Sequence, residues 1–184
     1  MAFLNTKERY GSLSIGLHWL MLLILIAVYS CAELREFFPK GSEMRKDLMA
    51  WHFSLGISVF ILVAVRLVAR LLAPEPGIVP DVLIWQKWLA KFMHLALYLL
   101  MIGMPIAGYW GMSAAGYPVY FFGIELPNLM ETNKALSKAI FEVHETVGSI
   151  GYFLIGLHAL AGLFHHYIQR DNTLTRMLPS KRRG

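Results

Sequence analysis

Seven histidines carry most of the chemistry open to this chain, and two of them, His144 and His158, lie fourteen residues apart in one apolar run. On a helix that spacing is about 21 Å along the axis, and at ~100° per residue the two side chains point to within about 40° of each other. One face of one helix thus offers an imidazole near each side of a hydrocarbon core ~30 Å thick. Such a face suits two haems stacked across a membrane, provided that other helices supply a second imidazole at each level.

The elements that must position these rings are legible in the composition. At 184 residues the expectation is a single domain over 1–184. A chain 57% hydrophobic and 16% charged is far from the averages of a soluble domain. Four apolar stretches, at 13–32, 48–68, 89–110 and 146–168, each approach the ~20 residues that a spanning helix needs. They are too long for barrel strands, so the expected class is all-α, a four-helix transmembrane bundle. The first stretch is not closed by an A-x-A-like cleavage site and reads as a retained span, not a signal peptide. The lone Cys31 forms no intramolecular disulfide and reads as an inert, partly buried thiol.

Local signals refine this plan. Ser12 is placed to cap the first span. Pro39 prevents simple continuation of the helix, and Pro105 is expected to kink the third span. The aromatic cluster Tyr117–Phe122 reads as an interfacial lid, and a polar turn near Asn133 leads into the fourth span.

Orientation follows from lysine and arginine. The side shared by the amino tail, the second loop and the carboxyl tail holds eleven cations, including Lys181, Arg182 and Arg183, against six on the other. The positive-inside rule then places both termini in the cytoplasm, and anionic lipid complements the basic balance. A nucleic-acid role would need a basic, aromatic-studded soluble surface, and none is present.

With the termini fixed, His18 and His158 fall towards the inner side and His52 and His144 towards the outer side. They pair at matching levels, as bis-imidazole ligation of two irons requires. Gly56, Gly148 and Gly162 follow His52, His144 and His158 by four residues each, on the same helix face one turn on. A glycine there lets a flat macrocycle approach the backbone, although ordinary helix packing also favours glycine. His94 competes with His18 for the place opposite His158, but Tyr98 one turn on would crowd a ring. His165 and His166 lie near the aqueous edge. A zinc site would need three or four ligands converging at one level. Arg66, fourteen residues from His52 and so on the same face, is either a snorkelling cation or a partner for a haem propionate.

The runs Leu17-His18-Trp19, Trp51-His52 with Arg66, His144-Glu145 leading to Gly156-Leu157-His158, and His165-His166-Tyr167 resemble the bacterial cytochrome b561 family. The likeness extends over nearly the whole chain, including Asp171-Asn172-Thr173-Leu174 and the basic tail. The resemblance implies two haem b groups, the inner held by His18 and His158 and the outer by His52 and His144. It also implies a bacterial inner-membrane oxidoreductase that takes electrons from periplasmic superoxide, releases dioxygen and reduces ubiquinone. Related di-haem subunits of membrane formate dehydrogenases and nickel–iron hydrogenases share the arrangement. A carrier linking such a partner to the quinone pool is therefore the alternative.

His52 lies only five residues past Asp47, and His144 sits between Glu142 and Glu145, which indicates a shallow outer haem, open to a small diffusible donor. Arg35, Lys40, Arg45 and Lys46 crowd the loop before His52 and either steer an anionic donor or simply solvate the loop. The outer side sets six cations against eight acids, a net −2, so any attraction must be local. For a quinone, His94, Tyr98 and His165 are the candidate hydrogen-bonding groups near the inner haem. The chain has no Gly-rich phosphate loop for a nicotinamide or flavin nucleotide.

Overall fold

The structure, a computed structural model, describes residues 2–179; Lys181, Arg182 and Arg183 of the basic tail lie outside the described residues. Four helices dominate it: α1 (Ser12–Leu34), α2 (Glu43–Leu71), α3 (Ile84–Ala115) and α4 (Lys134–Phe164). Each is long and apolar enough to cross a membrane. Their most apolar windows have mean hydropathies of 1.6 to 2.1, yet at most 17% of any window is buried inside the protein. In water that outward display of Leu, Ile, Phe and Val would be the wrong way round. In lipid it is the expected one, because only the backbone must be satisfied internally and helices do so. The fold class is the four-helix membrane bundle expected from the apolar runs.

All four helices begin before those apolar runs, and the first three also end beyond them. α4 begins at Lys134, well before residue 146, because Asn133 starts it. The Asn133 side-chain oxygen accepts from the Leu136 N–H at 3.0 Å, and the Asn133 N–H donates to Ala114 O at 2.8 Å. A good cap lets polar residues continue a helix past the hydrocarbon edge, which hydropathy alone does not register. Pro105 lies inside α3, which continues to Ala115.

At α1 the capping expectation needs correction. Ser12 is the first helical residue, and the loose N–H groups are met from the amino tail instead. Asn5 Oδ1 accepts from the Gly11 N–H at 3.0 Å and from the Ser14 hydroxyl at 2.7 Å. Ser12 and Leu13 donate to the carbonyls of Ala2 and Phe3. The tail lies so close that a Cβ at Gly11 would come within 2.4 Å of Phe3 O, so only glycine fits.

The aromatic segment is also more ordered than a lid of side chains. Strands β1 (Val119–Phe121) and β2 (Ile124–Leu126) pair antiparallel, Val119 opposite Leu126. Phe122 and Gly123, at φ 48° and 85°, make the two-residue turn with both central residues left-handed that suits a twisted hairpin. Buried Ser54 on α2 pins it: its hydroxyl donates to Tyr120 O at 3.4 Å and accepts from the Phe122 N–H at 3.1 Å. Trp51, next to His52, meets the Phe122 ring edge-on with centroids 5.9 Å apart.

The chain divides into two compact units. One comprises the residues up to Leu20, Ala64–Tyr98 and those from Gly151 on; the other comprises Met21–Val63 and Leu99–Ile150. Each unit contains one group of the histidines.

Candidate functional site

In the unit built from Met21–Val63 and Leu99–Ile150, α2 and α4 bring His52 and His144 face to face, with ring centroids 6.3 Å apart and planes at 68°. An iron held between two imidazole nitrogens at about 2 Å from each separates the ring centres by about 6 Å. The spacing is therefore that of a bis-imidazole site. His52 Nδ1 lies 3.0 Å from the carbonyl oxygen of Val28 on α1. With Nδ1–H donating there, the lone pair stays on Nε2, which is how metal-ligating histidines are normally held. His144 Nδ1 is buried and has no hydrogen-bond partner among the described residues. An atom of that kind calls for a partner, since leaving it alone costs about 1–3 kcal/mol.

Small residues make room around this pair. A Cβ at Gly108 on α3 would come within 3.3 Å of His144 Cε1. A Cβ at Gly56 would meet nothing within 4 Å, and one at Gly148 would meet only Met104 Cε, at 3.5 Å. The Gly148 carbonyl accepts from the Tyr29 hydroxyl at 3.0 Å. The expected open face one turn beyond His52 is present, and that beyond His144 is partly bounded. The residues at this site fit a haem.

The second unit gathers three rings. His158 on α4 lies 6.2 Å from His18 on α1 and 5.7 Å from His94 on α3, centroid to centroid. Both partners thus reach His158, and distance alone does not rank them. Arg66 Nη1 lies 2.9 Å from His18 Nδ1, which obliges that nitrogen to accept. For His18 to bind iron through Nε2 with Nδ1–H retained, the guanidinium has to move off the ring, and a haem carboxylate is a fitting destination. A Cβ at Gly162 would meet nothing within 4 Å, again leaving a helix face open. Tyr98 lies under the Arg70 guanidinium, 6.0 Å from carbon to ring centre.

Just beyond α4 the same unit holds a feature that the sequence did not announce. His165–Gln169 form one π turn, closed by Arg170 in the left-handed conformation at φ 55°. His165 Nδ1 and Asp171 Oδ2 are 2.5 Å apart, and Asp171 Oδ1 accepts from the Thr173 N–H at 2.8 Å. Nearby chain ends are tied in by Trp19 Nε1–H donating to Met177 O at 2.8 Å and by the Val79 N–H donating to Asn172 Oδ1 at 2.9 Å. Burial alone would raise the Asp171 carboxyl, but hydrogen bonds from His165 and Thr173 outweigh it and hold the group below its ordinary value. A carboxyl depressed on folding adds stability at pH above its ordinary 3.8, lost as pH falls below that through the folded value. Asp171→Asn should therefore flatten the drop in thermal midpoint between pH 5 and pH 3, measured by circular dichroism in detergent.

The loop cations are less free than their crowding suggested. Arg45 donates to the carbonyls of Arg35 and Phe38 at 2.8 and 3.2 Å and pairs with Glu36 at 3.0 Å. Arg35 also meets Glu36 at 3.0 Å and approaches Met49 Sδ, while Lys46 pairs with Glu43 at 2.7 Å. Lys40 is exposed and has no ion-pair partner among the described residues. Sequence reasoning gave the histidines; it missed Val28, Gly108 and Asp171. A carbonyl leaves no trace in sequence, Gly108 is one of fifteen glycines, and Asp171 drew notice only as part of the resembling run.

The chain was also compared with known proteins. A family model described as prokaryotic cytochrome b561 matches residues 9–180. Cytochrome b561 homolog 1 of Escherichia coli (strain K12) is 39% identical over 175 residues, which cover 95% of this chain and 99% of the relative. A protein of Yersinia pestis named probable superoxide oxidase CybB is likewise 39% identical over 175 residues, covering 95% and 98%. Cytochrome b561 homolog 2 of Escherichia coli is 30% identical over 179 residues, covering 97% and 95%.

Proposed function

This chain belongs to the prokaryotic cytochrome b561 family, and on that footing we propose that it oxidises superoxide at the outer face of a bacterial inner membrane and reduces ubiquinone. The observation that carries the reading is the pair of facing-imidazole sites, with centroids 6.3 and 6.2 Å apart, on helices able to cross a membrane. The name of the Yersinia relative supports superoxide as the donor. In this reading residues 1–184 form one membrane domain with both termini cytoplasmic, as the excess of lysine and arginine on that side directs.

Haem b, when bound, supplies reversible one-electron chemistry. The chain's part is to hold it at two depths. His52 and His144 would hold the outer group, and the Val28 carbonyl fixes the orientation of the His52 ring. His18 and His158 would hold the inner group, and Arg66, which lies at His18 Nδ1, is the cation that would be available to a propionate. His94, Tyr98 and His165 offer hydrogen-bonding groups to a quinone at the inner end. Two superoxide anions each give up one electron to become dioxygen, and two electrons with two protons convert one quinone to quinol.

Steering of the anion is a minor part of the account. Glu36 and Glu43 offset Arg35, Arg45 and Lys46, so Lys40 is the one of these four loop cations without an ion-pair partner among the described residues. The test is turnover of the purified, haem-loaded chain with a superoxide source and decylubiquinone. Superoxide loss well above the spontaneous rate, and dependent on added quinone, is expected. No quinone-dependent loss above the spontaneous rate would sink this reading and leave an electron carrier for another donor in its place.

A further inference from the structure

We propose that Asp171 is the positioning residue of a proton donor, His165, which protonates the quinone as it is reduced. The proposal rests on the quinone-reducing reading above and supplies its proton side.

Four observations on one short segment carry it. α4 ends its regular winding at Phe164 and continues as the π turn His165–Gln169, a rare irregularity that recurs at functional sites. Arg170, at φ 55°, folds the chain back so that the Arg170 and Asp171 N–H groups both donate to the His165 carbonyl, the second at 3.1 Å. This return sets the Asp171 carboxylate on His165 Nδ1 at 2.5 Å. Finally, the carboxylate is shut in while the ring is not: the Asp171 side chain is 1% exposed and that of His165 is 18% exposed.

A tie at a helix end does not require a buried carboxylate, which loses hydration that only good partners restore. Here one oxygen takes the Nδ1 proton and the other the Thr173 N–H, so the anion is well served and the imidazole is fixed in orientation. The consequence is chemical. A carboxylate that holds Nδ1 fixes the ring and leaves Nε2 as the nitrogen through which a proton is given and taken. Each electron that reaches the quinone is matched by one proton from His165 Nε2, and the ring is reloaded from cytoplasmic water. Over two such steps one quinone gains two electrons and two protons and leaves as quinol. Two superoxide anions, oxidised to dioxygen, provide the electrons. Asp171 keeps its proton count throughout.

The experiment uses the haem-loaded chain in detergent, with superoxide as donor and decylubiquinone as acceptor. Asp171→Asn keeps the shape and a hydrogen-bond acceptor but not the charge. Its haem content and reduced spectrum should equal wild type, its KM for the quinone should stay within about 2-fold, and kcat should fall about 100-fold. His165→Ala should lose as much and recover in part with added imidazole. Unchanged kcat in Asp171→Asn overturns the proposal, as does a loss that comes with lost haem or an equally raised KM, which marks a clasp and nothing more. A wild-type chain that accepts electrons yet passes none to quinone sinks the quinone-reducing reading and this proposal together. A competent wild type with an equally competent Asp171→Asn sinks this proposal alone.

Discussion

His144→Ala will hold one haem b per chain in place of two, and the one lost will be the outer. The ring faces His52 at 6.3 Å between centroids, its buried Nδ1 has no hydrogen-bond partner among the described residues, and Gly108 is without a side chain where a Cβ would approach the ring to 3.3 Å. Removing the imidazole leaves the iron with a single protein ligand at that level, and loss of an axial ligand removes much of what retains the group. The ligands proposed for the inner haem are separate residues in a separate unit, so that group should stay. Pyridine haemochrome per mole of protein should fall by about half, and superoxide-driven quinone reduction should fall to the background rate because the donor's entry point is gone. Retention of both haems would refute the pairing of His52 with His144. The helix itself should survive, since alanine is the best helix former.

The second large effect separates two rings that geometry leaves close together. His18 and His94 lie 6.2 and 5.7 Å from His158, so both are within reach and distance does not choose between them. The account nevertheless assigns the inner iron to His18 and His158. His94 has Tyr98 one turn on, and Arg66 is poised at His18 Nδ1, 2.9 Å away, ready to exchange a ring nitrogen for a propionate. His18→Ala should therefore lose the inner haem, keep the outer, and abolish quinone reduction while superoxide still reduces the haem that remains. His94→Ala should keep both haems, with any defect confined to quinone turnover. The reverse outcome, haem lost in His94→Ala and kept in His18→Ala, would move the inner site to His94 and return His18 to Arg66 as a structural partner.

Much of this could be read from the chain because membranes simplify the problem. Four apolar runs near the spanning length dictate four helices, and the 3.6-residue repeat fixes which side chains share a face. The shared face of His144 and His158 was legible for that reason; the structure sets His52 beside His144 and both His18 and His94 beside His158. Positions set by one hydrogen bond were not. The first N–H groups of α1 go to the carbonyls of Ala2 and Phe3, and Asn5 takes the Gly11 N–H and the Ser14 hydroxyl, because the amino tail folds back onto the helix, a tertiary event with no local signature. The hairpin of Val119–Leu126 was obscured by its aromatics, which read as interfacial anchors; Ser54, two residues past His52, is the residue that orders it. Charge counts misjudge the first loop for a similar reason, since Glu36 sits between Arg35 and Arg45 in space and not only in sequence. Asp171 required the π turn and a left-handed Arg170 before it could meet His165.

Every functional step above depends on two irons, each between two histidines. The direct measurement is haem b content together with its coordination in the purified, haem-loaded chain, by pyridine haemochrome and low-temperature electron paramagnetic resonance. The account predicts two haem b per chain, both low-spin and six-coordinate. One haem per chain, or a high-spin five-coordinate signal from either, would contradict it.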